Sequence, residues 1–134
     1  MNGGDSTAAA RASAALLDRR EELALAVTDE IFRRHPDYDA RFGETGRPKT
    51  LQDMRHTIEF LAPAVALEDA SMFARYVTWL VDVLRPRGVP PLVVHESLDA
   101  FRDVIGRSLP LHYDAAIGPV IDAGLVVAAE SAHG

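Results

Sequence analysis

Apolar residues recur along most of the chain at helical spacing. Leu16, Leu23, Val27 and Ile31 stand seven, four and four apart, one face of a helix with 3.6 residues per turn. The stretch from Ala8 to about Arg34 is rich in Ala, Leu, Glu and Arg and contains no Gly or Pro, so it predicts one long helix closed by Pro36. Tyr38 and Phe42 extend the pattern by a turn. Gly43 to Lys49 reads as a loop, and Pro48 suits the first position of a new helix, where its missing N–H would have no partner. Leu51, Met54, Ile58, Leu61 and Val65 line that helix, with a kink or early stop expected at Pro63.

Asp69 is the expected N-cap of the next helix. Met72, Phe73, Tyr76, Val77, Leu80, Val81 and Leu84 give it the clearest stripe in the chain, ending at Pro86-Arg87-Gly88. Pro90 and Pro91 open another helix, with Val94, Leu98, Phe101, Val104 and Ile105 inward, and Pro110 breaks it. The last helix spans Tyr113 to Ala129, interrupted or kinked at Gly118-Pro119. Alternating apolar and polar runs are nearly absent, so no strand is read. The pattern predicts an all-α bundle of five to six helices: a disordered N-terminus over residues 1–7 and a single helical domain over 8–134.

Composition narrows the chemistry. At 134 residues, 48 % hydrophobic and 25 % charged, the chain has ordinary globular composition and is long enough for one core. It contains no Cys, which excludes disulfides, thiolate nucleophiles, Cys-ligated zinc and any thioether-linked cofactor. Fourteen basic against twenty acidic residues leave a net charge of −6, which repels nucleic-acid backbones and anionic membranes on average. Of the basic residues thirteen are Arg and one is Lys, beside twenty-one Ala, a bias that suggests a bacterial genome rich in G and C. The first ten residues lack the basic start and apolar run of a signal peptide. The apolar run Leu125 to Ala129 is far short of a bilayer's thickness. A cytoplasmic protein is expected.

Familiar catalytic motifs fail. Gly43-Glu-Thr-Gly-Arg-Pro-Lys49-Thr50 misses a phosphate loop because Pro48 stands where Gly must precede Lys, removing an N–H from the cradle. The five His, at 35, 56, 95, 112 and 133, never fall four apart on a helix, so the spacing of a helical zinc site is missing. There is no nucleophile elbow. The helix from Asp69 to Leu84 has no His to serve as an axial haem ligand.

Three segments, in order, resemble the phycobiliprotein family (phycocyanin and allophycocyanin subunits). The first runs from Leu17-Asp-Arg-Arg-Glu-Glu-Leu to Asp29-Glu-Ile-Phe-Arg-Arg-His-Pro36. The second is Lys49-Thr-Leu-Gln-Asp-Met-Arg-His-Thr-Ile-Glu-Phe-Leu61 followed by Glu68-Asp69, similar to the chromophore helix. The third is Arg87-Gly-Val-Pro90, similar to the segment opening the family's penultimate helix. The resemblance spans residues 15 to 130 and implies a globin-like fold with a bilin pocket beside Lys49, Thr50, Gln52, Asp53 and His56, walled by Tyr76 and Trp79.

Departures from the family pattern bear on function. Thr50 stands where the bilin-bearing Cys belongs, so no covalent chromophore can form there, and Gln52 replaces an Arg that would pair with a propionate. Asp53 keeps the family's carboxylate, while His56 and Thr57 replace two Tyr. The family's N-terminal helical hairpin is mostly missing. Asp53 reads in two ways. It is either a pocket acid for tetrapyrrole N–H groups, or one end of the capping spacing Thr50-Leu-Gln-Asp53, which explains it without a ligand. Tyr76 and Trp79 likewise fit core packing. The implied function is a non-enzymatic binding or sensory module for a small apolar or tetrapyrrole ligand held non-covalently. The alternative is a ligand-free protein-interaction or regulatory domain that meets a protein partner; for assembly, a monomer or a symmetric homodimer is expected.

Overall fold

The computed structural model describes residues 3–133, and within them the chain is all helical, without a strand. Seven α-helices follow one another: α1 (Gly3–Asp18), α2 (Arg20–Arg34), α3 (Asp37–Phe42), α4 (Gly46–Ala66), α5 (Ala70–Leu84), α6 (Pro91–Ser108) and α7 (Asp114–His133). Short 3₁₀ turns at Arg85–Arg87 and Leu111–Tyr113 join the last three. Of the seven residues expected to be disordered, 1 and 2 lie outside the described residues, and 3–7 belong to α1.

The expected long first helix is two helices. Nothing local breaks it; Arg19 leaves helical backbone at φ −109°, ψ 18°, and its guanidinium donates to the Ser108 carbonyl at 2.5 Å, at the end of α6. The junction thus coincides with a tertiary contact across 89 residues, in a stretch of good helix propensity. Two other expected breaks do not end their helices. α4 runs three residues past Pro63, and α7 continues through Gly118-Pro119. Each Pro removes one helical N–H, but Ala62, Ala64 and Val65 flanking the first, and Ile117 and Val120 flanking the second, are buried, so packing sustains the helix.

α7 packs against α5 and α6, α4 against α1, α2 and α5, and α2 against α6. Phe73, Phe101, Leu16, Leu23, Ile31, Ile58 and Ile121 are fully buried at the centre. A polar seam joins α2 to α6: buried Glu30 accepts from Arg33, Arg34 and Arg107, and Arg34 also reaches Asp103. These guanidinium hydrogen bonds hold the Glu30 carboxyl well below the usual carboxylate range. By length and composition alone, Leu111–His133 could cross a membrane; in the fold its helix contributes buried side chains against α5 and α6.

The connection from α4 to α5 places the two helices that matter most below. Glu68 N–H donates to the Val65 carbonyl at 3.1 Å and Asp69 N–H to the Ala64 carbonyl at 2.9 Å, the paired bonds of a Schellman ending. Glu68 takes the left-handed position at φ 53°, where Gly is normally found. Asp69 then caps α5 as expected, accepting from Ser71 N–H at 3.1 Å. Glu68→Gly is therefore expected to stabilise the protein by roughly 0.5–1 kcal/mol, since left-handed backbone costs a residue with a Cβ about 1–2 kcal/mol. Urea denaturation checks this; a loss of stability would mean that the Glu68 side chain supports the turn.

Candidate functional site

α4 and α5 face each other across a cavity of about 540 Å³, within the range of about 300–1,000 Å³ typical of ligand pockets. Lys49, Asp53 and His56 fall four and three apart along α4, and Tyr76, Leu80 and Val83 do the same along α5, so each set shares one helical face. α6 closes the cavity with Val93, Val94, Ser97 and Leu98, while Ile31, Phe32, Tyr38 and Phe42 close it from α2 and α3. All seven residues singled out from the sequence, namely Lys49, Thr50, Gln52, Asp53, His56, Tyr76 and Trp79, line this one cavity.

Asp53 is not a cap. α4 starts at Gly46, with Thr45 at the N-cap position and no side-chain cap bond. Asp53 therefore lies two turns inside the helix, and Thr50 lies more than a turn inside. The capping spacing reads the N-cap at Thr50, whereas it falls at Thr45, and Pro48, expected as the first helical residue, is the third. Without the cap, Asp53 is a half-buried carboxylate with no hydrogen bond or ion pair among the described residues. Burial raises its pKa above the ordinary aspartate value, partly offset by electrostatic interaction with neighbouring His56, Arg87 and Lys49.

Tyr76 is buried, as the core reading anticipated, and also lines the cavity. Thr57 Oγ1 donates to the Asp53 backbone carbonyl at 2.8 Å and lies 2.9 Å from the Tyr76 hydroxyl. A hydroxyl has one proton, so Thr57 spends its own on Asp53 and Tyr76 must donate to Thr57. The Tyr76 oxygen keeps only acceptor capacity. Burial pushes the phenol up to about 12, so it stays neutral and is no ready base. With the Asp53 carboxylate, this polar wall offers acceptors and suits a ligand carrying N–H donors.

Trp79 departs from the core reading. It is 54 % exposed at the edge of the cavity. Phe60, 52 % exposed, stacks on Tyr76 with ring centres 4.5 Å apart, and Tyr76 is 6.0 Å from Trp79. The three rings form an aromatic ledge of which Tyr76 and Trp79 line the cavity, and the exposed Trp79 ring offers a flat molecule a surface on which to stack. Opposite, Tyr38 donates to Glu96 at 2.6 Å and its ring stacks on His35 at 4.6 Å, tying α3 to α6. Burial and the Glu96 contact raise the Tyr38 pKa.

Arg87 and Ser97 also line the cavity and were not singled out from the sequence. Arg87 ends the 3₁₀ turn after α5, where no helical periodicity points, and Ser97 is an unremarkable polar position on α6. Among the described residues, no three His, Asp or Glu side chains converge as a metal site. The chain matches no protein-family model and no curated protein.

Proposed function

We propose that the protein is a non-enzymatic, globin-like module related to the phycobiliproteins, which binds a flat, largely apolar ligand non-covalently between α4 and α5, with a tetrapyrrole as the foremost candidate. One observation carries this reading. Asp53 is a half-buried carboxylate, unpaired among the described residues, in the wall of a cavity of about 540 Å³. Burying a charge without a partner is costly, and ligand N–H groups would supply the missing partners. The aromatic ledge of Tyr76, Trp79 and Phe60 supports a planar ligand, and the absence of Cys excludes thioether attachment.

Trp79 is the sole tryptophan, which makes it a direct reporter. Biliverdin titrated into the purified protein is expected to quench Trp79 fluorescence saturably and to shift the pigment's absorbance. All pigment should separate from the chain on denaturation. Neither quenching nor an absorbance change would overturn the ligand reading. A second reading, a protein-interaction module without ligand, is favoured by the same exposure of Phe60 and Trp79, which would then meet a partner surface.

A further inference from the structure

We propose that Arg87 and Lys49 form an anion clamp at the cavity, so that the ligand carries an acidic group, carboxylate or phosphate, beside its flat body. This rests on the ligand reading above. Both side chains line the cavity, and both are exposed. Neither has an ion pair or hydrogen bond among the described residues. Eight of the thirteen arginines, by contrast, are held in ion pairs: 19, 20, 33, 34, 47, 55, 102 and 107. The other arginines without an ion pair among the described residues, 11, 41, 75 and 85, do not line the cavity.

Electrostatic balance points the same way. Lys49 and Arg87 against the single Asp53 carboxylate give the lining a net positive charge in a chain whose net charge is −6. An anion is thus drawn to this region of a molecule that otherwise repels it. The charges of Arg87 and Lys49 both reach Asp53, so they border its part of the cavity. The backbone bearing Arg87 is fixed: Gly88 N–H donates to the Arg85 carbonyl and Val89 N–H to the Leu84 carbonyl, both at 3.1 Å. Gly88 takes φ 85°, a conformation open to glycine. A guanidinium on a fixed turn can offer its paired N–H groups to a carboxylate or phosphate, while Lys49 adds a point charge. The cavity would then read three features: N–H donors at Asp53, a planar surface at Trp79, and an acid at Arg87.

Matched probes separate this inference from the reading beneath it. Biliverdin is compared with its dimethyl ester, and flavin mononucleotide with riboflavin, each titrated by Trp79 fluorescence. In at least one pair the acid form is expected to bind roughly threefold to tenfold more tightly, the scale of partly exposed charge pairs. The pair that shows the preference identifies the acid as carboxylate or phosphate. Arg87→Gln and Lys49→Gln should each reduce that preference, weakening the acid form more than its uncharged counterpart. Arg85→Gln, an equal change of charge outside the cavity, should preserve it. Equal binding of acid and neutral forms by the parent would overturn the clamp while leaving the ligand reading intact. So would a preference that survives both cavity substitutions. If all four probes fail to bind, the ligand reading falls and the clamp falls with it.

Discussion

Asp53→Asn is expected to make the ligand-free protein more stable at neutral pH and a poorer binder. Both effects come from one carboxylate without a partner. Burial raises the folded-state pKa of Asp53 above the value it has in the unfolded chain. Between those two values the native state holds a proton that the unfolded state has released, so parent stability falls as pH rises through that interval. Below the unfolded value Asp53 is protonated in both states and costs nothing of this kind. Melting curves from about pH 3 to about pH 7 should show variant and parent together in acid, with the variant pulling ahead as pH rises. Biliverdin affinity should fall by roughly tenfold to a hundredfold, the worth of a hydrogen bond to a charged group. A variant no more stable than the parent at neutral pH would show that Asp53 has a stabilising partner. Unchanged pigment affinity would remove Asp53 from the site.

This pairing of instability with binding explains why the cap reading was attractive and where it failed. Thr50 and Asp53 have the right spacing, and Pro48 is a sound first residue for a helix. However, α4 gains its first turn from Gly46, whose Cα lies so close to Phe42 that an added Cβ would be 2.9 Å from the Phe42 Cβ. α4 begins five residues earlier than a cap at Thr50 implies, which moves Asp53 from the first turn, where a carboxylate stabilises the helix dipole, to the interior, where it has no such role. The stripes of α4, α5 and α6 were legible because burial imposes their period. The break at Arg19 was not, because the residues around it are good helix formers and the carbonyl that its guanidinium reaches, on Ser108, lies far along the chain. Trp79 shows the limit of periodicity: it follows the buried run Phe73, Tyr76, Val77 and Leu80 closely enough to look like core, yet its position on the helix turns it to the edge. Arg87 lies on a turn, where period carries no information. Cavity walls built from helix faces could thus be read from the chain, and the cation contributed by a connection could not.

The largest loss of stability is expected at Gly124, in the middle of α7. Glycine there is locally unfavourable, since Ala would gain about 1 kcal/mol of helix propensity. The reason for it is the approach of α5. A Cβ at this position would lie 2.7 Å from Phe73 Cε2, 2.8 Å from Phe73 Cδ2 and 2.8 Å from Val77 Cγ2. Phe73 and Val77 are wholly buried, so neither can swing into solvent to make room, and overpacking a tight core costs about 1–3 kcal/mol or more. Gly124→Ala should therefore destabilise by about 1 kcal/mol net, and Gly124→Val by about 3 kcal/mol, because its branched side chain adds two more methyl groups. The strain should reach the site as well, because Phe73 stacks on Tyr76 with ring centres 5.8 Å apart. A displaced Phe73 pushes Tyr76 toward the cavity, and Trp79 fluorescence should report the change. Urea denaturation of the single and double variants tests the mechanism. Phe73→Leu should cost less in the Gly124→Ala background than alone, because the shorter side chain vacates the space that the new methyl group needs. Strictly additive costs would refute the steric coupling, and a stabilising Gly124→Ala would mean that helix propensity outweighs the contact between α5 and α7.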